Sequence, residues 1–213
     1  LSCARPNLQN VDKEGNMRKL FVAPLGMKLV RLDWHLIEFG MLAVLAKDEK
    51  LIDAFISKDV HQETADALGV DRDTGKHINF LMQNGGTPWG MSNMYGLPIG
   101  LTREYFKKYF ERFPAIKRFQ DETVAKALET KYVVGHWGRK RRLDALFVPD
   151  WRVRSEGEKE AKTMPMQNGA AELVKLAMID LHYKHQAPIV MQIHDELLFY
   201  INEKEAEEYG HWL

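Results

Sequence analysis

Short, mainly apolar segments predict β-strands near both ends of the chain. Residues 28–32 predict a strand that runs into Asp33. Residues 189–193 and 197–201 predict a hairpin whose turn, residues 194–196, reads His-Asp-Glu. Acidic residues therefore stand at the ends of strands that are far apart in the sequence.

The stretch between these strands has the apolar spacing of helices. Pro165 stands inside the longest such pattern and Pro114 interrupts another. The predicted elements are helices over 37–45, 71–84 (capped by Asp71 and ended by Gly85, Gly86 and Pro88), 102–128 (two helices broken at Pro114) and 158–184, with a short strand over 132–134.

Composition places the chain among ordinary globular proteins. Its 213 residues are 45% hydrophobic and 28% charged, and the single cysteine, Cys3, excludes an internal disulfide framework. No apolar run approaches the ~20 residues that span a bilayer, so we expect a soluble protein with no membrane partner. The chain begins with Leu1 rather than Met, which suggests a piece of a longer protein.

Charge is balanced in total but segregated along the chain. Lysine plus arginine equals aspartate plus glutamate at 30 each. Residues 103–142 hold twelve basic against five acidic side chains, whereas residues 195–208 hold six acids and one lysine. This pattern suits a protein that binds phosphates in one region and divalent cations in another, although a solvated helix face explains most such runs.

Asp33 and Asp195 are the candidate metal ligands. Mg²⁺ prefers oxygen ligands and is usually held by one or two carboxylates together with substrate phosphates, which two adjacent strand ends could provide. The alternative is that each is a solvated aspartate in a turn.

Three motifs in a fixed order decide between these interpretations. Residues 33–38 read Asp-Trp-His-Leu-Ile-Glu, then Arg72, Lys76 and Phe80 lead to Gly85, and residues 193–196 read Ile-His-Asp-Glu. In this order they resemble motifs A, B and C of the family A DNA polymerases, the bacterial polymerase I group. The resemblance covers nearly the whole chain, because further similar segments lie at 1–10, 51–64, 138–142, 164–167 and 170–171.

The resemblance implies an α+β fold with right-hand architecture. A palm, built as an antiparallel sheet with helices, would comprise residues 1–60 and 145–213, and a helical fingers insertion would comprise residues 61–144. The thumb and any exonuclease region would precede Leu1, so we expect neither within these 213 residues. The chain is thus expected to be a piece of a longer polymerase or a reduced relative, located in the cytoplasm of a bacterial or phage-infected cell.

The same resemblance implies template-directed DNA synthesis. A nucleotide would pass from a deoxynucleoside triphosphate (dNTP) to a primer 3′-hydroxyl on primer-template DNA, with two Mg²⁺ ions, or Mn²⁺, as cofactors. Asp33, Asp195 and the Trp34 carbonyl would be metal ligands, and Glu196 and Lys76 would complete the catalytic set. For Glu196, an exposed turn acid remains the alternative.

Arg72, Lys76 and Phe80 would bind the incoming nucleotide. Their four-residue spacing places them on one helix face, where the guanidinium can grip phosphate, the ammonium can stabilise leaving pyrophosphate and the ring can pack on sugar and base. An exposed basic helix with Phe80 in the core is the alternative. His61 would contact phosphate, unless it is an ordinary surface histidine.

DNA contacts also follow from the resemblance. Asn10, Gln167 and His194 match minor-groove and primer-end contacts, which check base pairs without reading sequence. Arg139 and Arg141 would contact phosphates and make binding salt-dependent, although a solvated basic turn explains them nearly as well.

The chain departs from the family at two places. Asn84 stands where the family has a tyrosine before the motif B glycine, and Trp34-His35-Leu36 replaces the usual Tyr-Ser-Gln. The tyrosine stacks near the templating base and bonds the motif A glutamate, here Glu38. Asn84 can keep that hydrogen bond but cannot stack, which puts nucleotide selection in question.

Two other functions remain open. A fragment without a thumb could be a nucleic-acid-binding remnant without turnover. The presence of Asp33, Lys76 and Asp195 argues against this alternative. A single-subunit RNA polymerase relative would share the palm and the Arg/Lys helix, but the bulk of Glu38 should crowd a ribose 2′-hydroxyl.

Overall fold

The computed structural model describes residues 11, 16–57 and 59–212, which form five β-strands and nine α-helices. The strands are β1 (Met27–Asp33), β2 (Tyr132–Val134), β3 (Lys140–Arg142), β4 (Ile189–Ile193) and β5 (Glu196–Asn202). The helices are α1 (Ile37–Ala46), α2 (Glu49–Ser57), α3 (Val60–Leu68), α4 (Arg72–Gln83), α5 (Pro88–Tyr95), α6 (Ile99–Arg112), α7 (Pro114–Thr130), α8 (Trp151–His185) and α9 (Ala206–Trp212). The fold is therefore α+β, as predicted.

Two compact units divide the chain. One contains the described residues of Leu1–Ile37 and Ala170–Leu213, and the other is Glu38–Gly169. In the first unit, β1, β5 and β4 form an antiparallel sheet in that order. Leu197, Phe199 and Ile201 lie on one face of β5 and are buried, and Leu198 on the other face is buried as well. All three strands predicted near the chain ends are confirmed, and β1 extends far enough to include Asp33.

A two-residue turn joins β4 to β5. Ile193 pairs with Glu196, so His194 and Asp195 form the turn, and His194 has a left-handed φ of 53°. The Gln192 side-chain amide donates a hydrogen bond to the His194 carbonyl. The turn therefore has a fixed backbone that presents Asp195 at the end of the sheet.

Local capping sets the limits of α4 in the second unit. Asp71 accepts a hydrogen bond from the Thr74 amide at 2.9 Å, which satisfies a free N–H of the first turn. The helix ends at Gln83, where the Asn84 amide bonds the Phe80 carbonyl and Gly85 takes a left-handed φ of 66°. The predicted cap and terminator are confirmed.

Helices α3 and α4 pack closely at Gly75. A Cβ at this position would lie 2.5 Å from the His61 carbonyl oxygen and 3.0 Å from the Ala65 amide nitrogen. Only a glycine lets the two backbones approach this closely. The contact fixes α4 against the start of α3, where His61 lies.

Proline behaves differently in the other long helices. Pro114 begins α7 directly after α6, which confirms the predicted break. Pro165 lies buried inside α8, which nevertheless runs unbroken and begins at Trp151 rather than at residue 158. Among the described helices, none is long and apolar enough to cross a membrane.

Candidate active site

Asp33 and Glu196 are direct partners in the sheet. Asp33 ends β1 and Glu196 begins β5, and they pair across the antiparallel ladder. Opposite residues of neighbouring strands project from the same face. The Asp33 side chain is half exposed, whereas that of Glu196 is 16% exposed. Glu196 is thus a partly buried strand residue and not an exposed turn acid.

Asp195 joins these two residues through the backbone. Its carbonyl accepts a hydrogen bond from the Trp34 amide at 3.5 Å. This bond ties the residue that follows Asp33 to the turn that precedes Glu196. Three acids from two distant parts of the sequence therefore lie at one end of the sheet.

Arg31 contacts two of the three acids. Its Nη1 lies 3.5 Å from Glu196 Oε2, and its Nη2 lies 3.9 Å from Asp33 Oδ2. Arg31 stands two residues before Asp33 on β1, so the period of a strand places both on one face. We did not predict Arg31 from the sequence, although the two-residue period of a strand is enough to place it on the same face as Asp33.

The donor set at this end of the sheet fits a hard divalent cation. Carboxylates and a backbone carbonyl at Trp34 offer only oxygen ligands. Within the described residues no group of three or more histidine, cysteine or acidic side chains is arranged to hold a metal ion. A site of two carboxylates is nevertheless what Mg²⁺ needs when substrate phosphates and water supply the other ligands. Beside Asp33 is a hollow of about 380 Å³, lined by Arg31, Leu32, Asp33, Trp34, His35 and Gly210.

The predicted nucleotide-binding residues Arg72, Lys76 and Phe80 lie exposed along α4. The Phe80 side chain is 40% exposed, so the alternative that places it in the core is wrong. Two positively charged side chains and an aromatic ring thus share one exposed face of α4.

Asp59 holds Arg72 in place. Its Oδ2 accepts a hydrogen bond from Arg72 Nε at 2.6 Å, while its Oδ1 caps α3 by accepting from the His61 and Gln62 amides. The guanidinium bond lowers the pKa of Asp59, and the same contact raises the pKa of Arg72. One carboxylate therefore both starts α3 and orients the guanidinium on α4.

His61 is buried and not a surface histidine. It is only 5% exposed, and its ring lies 6.0 Å from that of Phe80. Asn79 Nδ2 bonds the Val60 carbonyl at 3.2 Å and His61 Nδ1 at 3.0 Å. Because the amide donates to both, Nδ1 is the acceptor and the imidazole proton sits on Nε2. Thr64 fixes the Asn79 amide by donating to its Oδ1.

Asn84 and Gln167 lie together in the second unit. Gln167 Nε2 donates to Asn84 Oδ1 at 3.4 Å, and Asn84 Nδ2 donates to the Phe80 carbonyl at 2.7 Å. The structure thus joins a residue predicted to bind nucleotide to one predicted to bind DNA. The hydrogen bond from Asn84 to Glu38 stays a prediction.

The other predicted DNA contacts are dispersed. Arg139 and Arg141 belong to the exposed β2–β3 hairpin, where Arg141 forms an ion pair with Glu160. His194 is exposed in the turn between β4 and β5. Asn10 lies outside the described residues.

The comparisons with known proteins agree on one family. The family model for DNA polymerase family A matches residues 1–213. DNA polymerase I of Pseudomonas aeruginosa is 34% identical over 98% of this chain and 25% of its own length. The thermostable DNA polymerase I of Thermus thermophilus is 34% identical over 98% of this chain and 27% of its own length. This chain thus spans about a quarter of the length of these curated relatives.

A solved structure is similar in fold. The POL domain of Pol1 from M. smegmatis, in complex with DNA primer-template and dNTP, superimposes with a TM-score of 0.89 and 28% identity. The match covers 99% of this chain and 41% of that one.

Proposed function

This chain belongs to DNA polymerase family A, and we propose from that premise that it carries the catalytic centre of a template-directed DNA polymerase. The observation that carries the proposal is the arrangement of Asp33 and Glu196 as paired residues on one sheet face, with Asp195 in the adjoining turn. Primer-template DNA and dNTPs are the proposed partners.

The proposed reaction forms one phosphorus–oxygen bond and breaks another. The primer 3′-oxygen bonds to the α-phosphorus of the dNTP, its proton passes to water, and the bond from that phosphorus to pyrophosphate breaks. Asp33, Asp195 and the Trp34 carbonyl would hold two Mg²⁺ ions, or Mn²⁺, and Glu196 would support them. When bound, such ions lower the pKa of the attacking hydroxyl and stabilise the leaving group.

The α4 face would bind the triphosphate. Asp59 engages the Nε of Arg72, and the two terminal nitrogens of a guanidinium are donors of the kind that bind phosphate bidentately. Lys76 would neutralise charge on the pyrophosphate and donate a proton to it. The Nε2–H of His61 is a donor of the correct kind for a phosphate oxygen, and Phe80 would pack on the sugar and base.

Template and primer contacts complete the proposal. Glu38 and Asn84 would select sugar and base, and Gln167, which bonds Asn84, would link that selection to the minor groove. The remaining proposed DNA contacts are Asn10, His194, Arg139 and Arg141. Residues 1–60 and 145–213 would form the palm and residues 61–144 the fingers, in a protein that acts in the bacterial cytoplasm.

Primer extension with Mg²⁺ tests the proposal. Asp33→Asn and Asp195→Asn should each abolish extension while secondary structure and melting temperature stay near those of the parent. Glu203→Gln is the matched control, because Glu203 is an exposed acid next to β5 whose partner is Lys28 at 3.6 Å. Extension that survives in either aspartate variant contradicts the proposed centre. DNA binding by a parent chain that shows no extension would instead favour the binding remnant.

A further inference from the structure

A positively charged side chain, Arg31, contacts the carboxylates at the end of the sheet. The Arg31 guanidinium lies between Asp33 and Glu196, with one terminal nitrogen toward each. Glu196 is largely shielded from water, and a shielded carboxylate beside other acids is costly unless a positive charge is near. Arg31 supplies that charge.

Two other basic side chains of this unit, Arg18 and Lys28, are engaged elsewhere. Arg18 lines the same face of the sheet as Arg31 and Glu196, but its Nε donates to the Val11 carbonyl at 3.1 Å. Lys28 lies on β1 and pairs with Glu203. Of these three side chains, Arg31 is the one that contacts both Asp33 and Glu196.

The contacts of Arg31 with Asp33 and Glu196 are long enough for a metal ion to replace them. Charge-assisted hydrogen bonds between guanidinium and carboxylate usually measure about 2.7–2.9 Å. Those of Arg31 measure 3.5 and 3.9 Å, and its side chain is 58% exposed. A guanidinium stays charged at all physiological pH values, so its repulsion toward an arriving cation is constant.

We propose that Arg31 is a built-in competitor for the divalent cations of this site, holding Asp33 and Glu196 in their absence and setting the metal concentration at which the site fills. The inference rests on the proposed function, because it takes Asp33 as a metal ligand. Arg31 acts through the carboxylates and is thus a positioning residue.

Direct metal binding tests the proposal without relying on activity. The metal-free full chain, without DNA or nucleotide, is titrated with Mn²⁺ at about 0.1 M salt, where the Debye length is about 10 Å, and free Mn²⁺ is measured by electron paramagnetic resonance. Arg31→Gln removes the charge and should tighten Mn²⁺ binding by about three- to tenfold. Arg31→Lys keeps the charge and should stay within about twofold of the parent.

Lys28→Gln is the matched control. It removes one positive charge from the same strand at similar exposure, but five residues from Asp33, or roughly 16 Å along an extended strand. This exceeds the Debye length of about 8–10 Å at ordinary salt, so its affinity should equal that of the parent. Added NaCl should reduce the difference between Arg31→Gln and the parent.

The outcomes separate the two proposals. Asp33→Asn should weaken Mn²⁺ binding, and equal binding by Asp33→Asn and the parent would overturn the metal site and this inference with it. If Asp33→Asn weakens binding but Arg31→Gln leaves it unchanged or weaker, the metal site stands and the competitor role is refuted. Circular dichroism melting curves verify that each variant is folded.

Discussion

Gly75→Ala tests the close packing of α3 and α4, on which the positions of His61 and Arg72 depend. The added methyl carbon would lie 2.5 Å from the His61 carbonyl oxygen, and 3.0 Å from both the amide nitrogen and the Cβ of Ala65. Two of these three atoms belong to the backbone of α3 and cannot rotate away. The helices must therefore separate.

Two opposing effects set the magnitude. Alanine is favoured over glycine in a helix interior by about 1 kcal/mol. Overpacking a tight contact costs about 1–3 kcal/mol, more where the obstacle is backbone. We expect Gly75→Ala to lower the free energy of unfolding by about 1–2 kcal/mol, and to lower turnover because His61 and Arg72 move apart.

Gly100→Ala is the matched control. Gly100 also lies in a helix, α6, but a Cβ added there would meet no atom within 4 Å. This variant should gain up to about 1 kcal/mol. Since 1 kcal/mol shifts Tm by roughly 2–4 °C in a chain of this size, a difference of about 1–3 kcal/mol should separate the Tm values of the two variants by roughly 2–12 °C in calorimetry. If Gly75→Ala melts at the same temperature as Gly100→Ala, the close approach of α3 and α4 at Gly75 is refuted.

Other substitutions separate the roles of single residues. Asp59→Ser keeps an N-cap for α3 but loses the ion pair with Arg72, so KM for dNTP should rise several-fold and Tm at neutral pH should fall slightly. Because the guanidinium lowers the pKa of Asp59, the contribution of the pair to stability persists above the ordinary value of 3.8 and is lost as the pH falls below it, where urea titrations of variant and parent should converge. Lys76→Ala should cut kcat by about 10²–10³ in single-turnover extension and leave DNA affinity in a filter assay unchanged; the opposite pattern would indicate a plain basic helix. Asn84→Tyr should restore base stacking worth roughly 1–3 kcal/mol and raise the ratio of correct to mismatched kcat/KM, whereas a folded variant without extension would show that this helix end packs differently from its family. Tyr109→Phe should leave the free energy of unfolding unchanged or raise it by about 1 kcal/mol in urea titration, because the fully buried hydroxyl has no hydrogen-bond partner among the described residues; a clear loss would reveal a bond to the hydroxyl.

Local chemistry was sufficient to predict several parts of the site. The short segment that runs into Asp33, and the apolar runs on either side of residues 194–196, are local features of the sequence, and the structure confirms all three strands and the turn. Likewise, Asp71 and Gly85 set the limits of α4 to within one residue of the prediction. Each of these predictions required only residues close together in the chain.

Contacts across the chain could not be predicted in this way. Arg72 meets Asp59 from another helix, and the burial of His61 depends on Asn79, eighteen residues later. Arg31 reaches Glu196 only through the register of β1 with β5. Such contacts follow from helix packing and strand register, which no short pattern encodes.

The pairing of β1 with β5 also has a consequence for biosynthesis. Asp33 and Glu196 are partners although they stand 163 positions apart, since 196 minus 33 is 163. At about 5–20 residues per second, a ribosome needs roughly 8–30 seconds to make the strand that completes the pair. Helical contacts such as those of α3 with α4 can form meanwhile, because they are local. We therefore expect β1 to remain without this partner strand until β5 has been made, so that the nascent chain acquires its carboxylate pair only at that point.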